Sequence, residues 1–148
     1  IRPFQPHDQD IVRDLILAGL GEHFQVLDPA LNTDLEDIQG HYVERGSTLL
    51  IAVEGDKLIG TGALIREAPG IGRIVRMSVA PTHRRQGIAH RLVRELISTA
   101  RRLNYTKILV ETNDDWQGAI RFYEFCGFRP YAHQDGEIHM QLNIKKRT

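Results

Sequence analysis

With a single cysteine, Cys126, the 148-residue chain cannot build an intramolecular disulfide framework, and its stability must come from packing. No His/Cys/carboxylate spacing has metal-ligand form, so no metal site is expected. No apolar run approaches the roughly 20 residues that cross a bilayer as a helix, which argues against a membrane partner. No stretch has the pattern of a secretory signal, and the expected location is cytoplasmic. Internal repeats and low-complexity tracts are absent as well, which excludes solenoids and propellers. What remains is ordinary: 41% apolar and 26% charged residues. One domain spanning 1–148 is the expectation.

The chain also lacks net charge, but its charges are segregated. Residues 1–72 carry net −7, residues 73–107 carry net +8 and residues 108–148 carry net −1. A basic middle segment argues for an anionic partner, either a small phosphorylated ligand or a nucleic acid, against the plainer reading of a solvated basic face.

Hydrophobic periodicity supplies the elements. Ile1 to Phe4 reads as a short strand, and Asp8 as the cap of a helix carrying Ile11, Val12, Leu15, Ile16 and Leu20 up to Gly21. Gly21 to Leu31 reads as a loop. Thr33-Asp34-Leu35-Glu36 has capping-box form and predicts a second helix with Leu35, Ile38, Tyr42 and Val43. Strands over 48–54 and 57–65 meet at Gly55-Asp56, and another covers 71–79. A long amphipathic helix runs from about Arg85 to Leu103, followed by a strand over 106–112. Asp114 or Asp115 then caps a helix that Gly127 closes, and strands over 128–134 and 137–142 pair across Asp135-Gly136. This is a mixed α/β domain with helices covering an open sheet.

The segment Ser78-Val79-Ala80-Pro81-Thr82-His83-Arg84-Arg85-Gln86-Gly87-Ile88-Ala89 carries the chemistry. An apolar strand stops, turns and opens into the longest helix. First-turn N–H groups have no internal acceptor, the helix dipole makes that end positive, and Arg84 and Arg85 add charge there. Gly87 and Ala89 keep the turn open to a ligand such as a phosphate. A nucleic-acid module is disfavoured, because this helix must spend its Ile/Leu face on the core and no basic stripe is interleaved with aromatics.

Arg84-x-x-Gly87-x-Ala89 resembles the acyl-CoA pyrophosphate loop of the GCN5-related N-acetyltransferases (GNAT). Ile74 to Val79, the strand leading into that loop, and Ala119-Ile120-Arg121-Phe122-Tyr123-Glu124-Phe125-Cys126-Gly127-Phe128 resemble the family's flanking segments in the same order. The likeness is specific over about residues 48–128. It implies a single-domain α/β acyl-CoA N-acyltransferase fold, a mixed and mostly antiparallel sheet flanked by helices. It implies acetyl-CoA as co-substrate, held by Met77, Ser78 and Val79 on the strand and by Arg84, Arg85, Gln86, Gly87, Ile88 and Ala89 in the loop. It also implies direct transfer of an acetyl group to a primary amine, and a homodimer of the kind related proteins form through their C-terminal strands. A non-catalytic acyl-CoA binder of the same fold is the alternative.

By the same resemblance Tyr123 protonates the leaving thiolate, a role a phenol can fill, and the Val79 N–H stabilises charge on the thioester oxygen. Trp116 stands where many relatives have a cofactor-contacting Asn, so Asn113 either takes over that contact or shapes the turn. Arg73 stands where histone-modifying members carry a glutamate base. Glu22, His23, His41, Glu67 and Glu111 are all chemically competent bases, and spacing distinguishes none of them. Arg73 and Arg76 lie on a strand that would border the acceptor. They alternate in face, so one of them is expected to hold a carboxylate or phosphate on a small amine acceptor. The loop from Gly21 to Leu31 is expected to wall the acceptor site, and Cys126 to be a small packing residue.

Overall fold

Strand β3 (Lys57–Ala68) is buried continuously from Ile59 to Leu64 because helices cover both of its faces. The computed structural model describes residues 1–22 and 31–144. Among these, β3 lies in a seven-stranded sheet with β1 (Arg2–Pro3), β2 (Thr48–Glu54), β4 (Ile71–Val79), β5 (Lys107–Asn113), β6 (Arg129–Gln134) and β7 (Glu137–Asn143). The order is β1-β2-β3-β4-β5-β7-β6, and every neighbouring pair is antiparallel except β4 and β5. The helices are α1 (Gln9–Gly21), α2 (Ile88–Arg102) and α3 (Gln117–Phe125). No helix among the described residues is long and apolar enough to cross a membrane.

Two cores follow from the two faces. On one, Ile88, Leu92, Val93 and Leu96 of α2 pack against Leu64, Ile74, Ile108, Val110 and Met140 of the sheet, with Tyr123 and Phe128 beside them. On the other, Val12 and Ile16 of α1 meet Phe4, Leu35, Ile38, Tyr42, Leu49 and Ile51. α2 comes close to β3 because the sheet presents glycine there: a Cβ on Gly60 would lie 3.0 Å from Leu92 and 3.1 Å from Ile88.

Most expected elements are present, and the exceptions have local causes. Asp8 does not cap α1 with its side chain; its buried carboxylate turns back to accept the Gln5 N–H at 2.8 Å and the Arg2 guanidinium at 2.9 and 3.0 Å. Ile11 faces solvent, 46% exposed, while Val12 and Ile16 carry the buried stripe. The helix expected from Thr33 is a 3-10 turn (Thr33–Glu36) followed by a π turn (Gln39–Val43). Gln9 of α1 interrupts it, donating to the Leu35 carbonyl at 2.7 Å and accepting the Ile38 N–H at 2.9 Å, groups a continuing helix would use itself. Neither Asp114 nor Asp115 caps α3: its N-cap is Trp116, and the Asp114 carboxylate reaches His133 at 2.9 Å. Phe128 precedes β6, and residues 145–148 lie outside the described residues.

The 3-10 turn delivers one long-range interaction. Asp34 accepts from Nε and Nη2 of Arg76, at 2.9 and 2.6 Å, together with a short hydrogen bond from the Tyr42 hydroxyl. Burial alone would raise the Asp34 carboxyl, but the hydrogen bonds from Arg76 and Tyr42 outweigh it and hold the group below the usual carboxylate range. A depressed folded-state pKa adds stability above the unfolded value of about 3.9, and that contribution is lost as pH falls through the folded value. Asp34→Asn is therefore expected to destabilise the fold by roughly 1–3 kcal/mol at pH 7. In urea titrations at several pH values, the gap between variant and parent should narrow below about pH 4.

Candidate functional site

The parallel pair β4/β5 holds only from Ile71↔Lys107 to Arg73↔Leu109. Beyond Leu109 the two strands part, leaving the backbone edges of Ile74–Val79 and Val110–Asn113 without each other. A cleft of about 460 Å³ fills the gap, and Val75 to Val79, Glu111, Thr112 and Tyr123 are among its walls. A second cleft of about 510 Å³ continues past Met77, Ser78, Val79 and Tyr123 to the loop before α2. A third cavity of about 520 Å³, outside α2 near Arg91, Arg94 and Arg101, shares no lining residue with either.

A bulge in β4 aims its free edge. Opposite Gly62, pairing jumps from Ala63↔Val75 to Thr61↔Ser78, so Arg76 and Met77 together face one residue. Arg76 is left-handed there (φ 57°), and the buried Thr61 hydroxyl donates to its carbonyl at 2.9 Å. A Cβ on Gly62 would lie 2.5 Å from the Met77 sulfur and 3.2 Å from Leu96, so a side chain opposite the bulge would require the Met77 side chain to shift. After the bulge, the Ala80 N–H bonds the Ile59 carbonyl at 2.8 Å, which makes Ile59/Ala80 a hydrogen-bonded pair. Antiparallel pairs alternate, so the Val79 N–H points away from β3 and into the cleft.

The loop that follows is shaped for an anion. Arg85 (φ 61°) and Gly87 (φ 81°) are both left-handed, Gly87 is the N-cap of α2, and no side chain caps that end. Nothing lies within 4 Å of where a Gly87 Cβ would be. Arg84, Arg85, Gly87, Ile88 and Ala89 all line the second cleft, whereas Gln86 is exposed beside it. Arg84 is paired with Glu22 at the end of α1, through two bonds of 2.7 and 2.6 Å, and its Nε donates to the Val79 carbonyl at 3.3 Å. The loop's anion capacity rests on main-chain N–H groups first.

Tyr123 owes its place to the end of α3. Gly127 (φ 101°) donates to the Glu124 carbonyl at 3.0 Å and Phe128 to the Tyr123 carbonyl at 3.0 Å, which is a Schellman motif. That motif brings its C3 and C″ side chains together, and the Tyr123 and Phe128 rings meet edge to face at 5.7 Å. The Tyr-x-x-x-Gly-Phe spacing is thus a helix terminator that fixes a phenol between the two clefts. Burial raises the Tyr123 pKa, so the hydroxyl stays protonated at neutral pH. Cys126 beside it is half-buried against the core, and burial pushes its thiol up to about 11, consistent with packing.

Other expected residues fall elsewhere. Asn113 is outside both cleft linings; its carbonyl accepts the Trp116 N–H at 3.1 Å, which shapes the turn, and Trp116 itself walls the first cleft. Arg73 and Arg76 do not alternate in face, because the bulge shifts the register between them, and both are engaged by carboxylates of the chain. Arg73 binds Glu67 at 2.9 Å and makes a short contact to Glu111, and Arg76 binds Asp34. Of the candidate bases, Glu111 lines the first cleft, whereas Glu22, Glu67 and His41 do not. His23, with most of the expected acceptor loop, lies outside the described residues. Thr112 is the residue the sequence reading passed over: it breaks the apolar alternation of Ile108 and Val110 on the buried face of β5.

Free strand edges flanking a phenol, leading to an uncapped helix start, are the architecture of an acyl-transfer fold. The sequence matches the Acetyltransferase (GNAT) family over residues 12–128, and the chain belongs to that family. It is 40% identical over 118 residues to N-acetyltransferase 8 of Rattus norvegicus, covering 76% of this chain and 51% of the relative. It is 33% identical over 111 residues to N-acetyltransferase 8 of Homo sapiens, covering 71% and 49%. The chain spans about half the length of these relatives. A GNAT-family acetyltransferase from Staphylococcus aureus superposes with a TM-score of 0.88 at 24% identity, over 97% of both chains. The PaiA N-acetyltransferase of Thermoplasma acidophilum, solved with coenzyme A, superposes at 0.85 with 14% identity, also over 97% of both.

Gly87→Glu would put a charged side chain into the open space of a left-handed N-cap. It is expected to raise the acetyl-CoA dissociation constant at least about 100-fold by calorimetry. Val79→Ile, which leaves the main chain unchanged, should alter it less than about twofold.

Proposed function

We propose that residues 1–148 form one acetyltransferase domain that moves the acetyl group of acetyl-CoA to a primary amine on a small molecule, by direct attack in a ternary complex. The observation that carries this reading is Tyr123: a buried, protonated phenol standing where the two clefts meet. The residues fit the co-substrate. The loop from Arg84 to Ala89 offers main-chain donors to a pyrophosphate, and the free edge of β4 at Met77 to Val79 offers peptide groups to an amide-bearing arm. When bound, acetyl-CoA supplies a thioester whose carbonyl carbon can be attacked and whose sulfur can leave.

The chain's own groups divide that work. The Val79 N–H, turned into the cleft, is placed to stabilise negative charge on the carbonyl oxygen. Tyr123 donates its proton to the departing sulfur. Its raised pKa keeps the donor form present beyond the ordinary tyrosine value of about 10. A protein that only binds acyl-CoA has no use for such a donor at the junction.

Tyr123→Phe is expected to lower kcat about 100-fold while leaving acetyl-CoA affinity within about twofold, read by free-thiol release and calorimetry. An unchanged kcat would remove the proton-donor role. Absence of thiol release by the parent protein with every amine of a broad panel would support a non-catalytic binder instead.

A further inference from the structure

The cavity of about 520 Å³ outside α2 shares no lining with either cleft, and acetyl transfer as described makes no use of it. Its volume is in the range of small-ligand sites, roughly 300–1,000 Å³. Ile97 of α2, Cys126 just after α3 and Leu142 of β7 are its half-buried apolar lining, packed against the core under α2. Arg91, Arg94 and Arg101 of α2 are its exposed cationic lining.

The three arginines share one face of the helix. At 3.6 residues per turn and 1.5 Å per residue, they fall within an arc of about 80° and span about 15 Å along the axis. Ser98 lies inside that arc, and Glu95, the acidic residue in the lining, lies about 40° outside it. Among the described residues the three guanidinium groups have no hydrogen-bond or ion-pair partner, Glu95 included. They differ in this from Arg73, Arg76 and Arg84 of the same basic segment, each of which pairs with a carboxylate of the chain.

Helix energetics do not account for the arrangement. Arg91 sits in the first turn of α2, where the helix dipole disfavours a cation, and Arg91 and Arg94 place like charges three residues apart. Arg101, in the last turn, is the one the dipole favours. A group with several negative charges seated in the cavity would meet all three. A guanidinium fork matches two phosphate oxygens at once, and the Ser98 hydroxyl and the Asn143 amide add neutral donors in the same lining. One isolated phosphate covers little of a 15 Å row of donors, whereas linked phosphates meet several of them together. A concavity of this size suits a small molecule more than an extended polymer.

We propose that this cavity binds a soluble oligophosphate, a small molecule bearing two or more linked phosphate groups, through Arg91, Arg94 and Arg101. The site is separate from the acetyl-transfer clefts, and the two assignments can fail independently.

The test is calorimetric binding of inorganic triphosphate and of monophosphate at low ionic strength, with and without saturating acetyl-CoA. The proteins are the parent, Arg94→Glu, Arg101→Glu, Arg94→Lys and Arg45→Glu. Arg45 is exposed in the turn before β2 and does not line the cavity, so Arg45→Glu makes the same change in net charge elsewhere. The parent is expected to bind triphosphate at least about tenfold more tightly than monophosphate, and Arg94→Glu and Arg101→Glu each to weaken triphosphate at least about tenfold. Arg94→Lys, which keeps the charge and loses the fork, should recover part of that loss. Arg45→Glu and acetyl-CoA should each change the triphosphate constant less than about threefold. Displacement of triphosphate by acetyl-CoA would place it in the loop before α2, and an equal loss in Arg45→Glu would reduce it to diffuse charge attraction. Either result, or binding of a single-stranded oligonucleotide without binding of triphosphate, would overturn the site. Triphosphate binding with the expected variant pattern, in a parent that releases no thiol with any amine, would support the site and remove the acetyl-transfer reading alone.

Discussion

Arg76 holds a left-handed backbone conformation in the middle of a β-strand, a state that costs a residue with a Cβ about 1–2 kcal/mol. The surrounding structure holds it there from three directions. Asp34 accepts from the guanidinium's Nε and Nη2, Tyr42 hydrogen-bonds the same carboxylate, and the Thr61 hydroxyl donates to the Arg76 carbonyl. The extra residue this accommodates resets the alternation of β4. It sends Met77 under α2 against Gly62 and turns the Val79 N–H toward the gap beside β5. Without the bulge, the edge of β4 would present other groups to the cleft.

The same strand explains what becomes of the segregated charge. The basic segment 73–107 suggests an anionic partner, yet three of its arginines are answered within the chain. Arg76 meets Asp34, Arg84 meets Glu22, and Arg73 meets Glu67 and Glu111. Three of those four carboxylates come from the acidic first half. Part of the asymmetry is thus a record of which segments pack together. What remains positive toward the second cleft is the helix start itself, with Arg85 and the uncapped N–H groups of α2.

The parting of β4 and β5 gives the site two sides with different chemistry. Toward α2 lie the main-chain donors and the left-handed loop. Toward α1, Glu111 lines the cleft, in contact with Arg73, which also binds Glu67, and with His139 at 3.4 Å. Tyr123 belongs to both clefts because the Schellman turn at Gly127 stops α3 where its ring packs on Phe128. A helix terminator, a strand bulge and a strand separation, each ordinary alone, converge on one phenol.

The sequence by itself determined what depends on neighbours in the chain. Hairpins at Gly55-Asp56 and Asp135-Gly136, the amphipathic stripe of α2, the Schellman end at Gly127 and the open helix start at Gly87 were all legible, because each is a local preference of a few residues. Tertiary structure decided what depends on distance. It replaced the helix expected after Thr33 by two turns, because Gln9 claims the Leu35 and Ile38 backbone groups from 26 and 29 residues away. It tied Arg76 to Asp34 across 42 residues. Among the described carboxylates and histidines named as chemically competent bases, it brought Glu111 to the first cleft, because β5 splays from β4 beyond Leu109. Pairing over such separations leaves no trace in local pattern, so the open helix start and the helix terminator are written in the sequence, and the cleft between β4 and β5 in the fold.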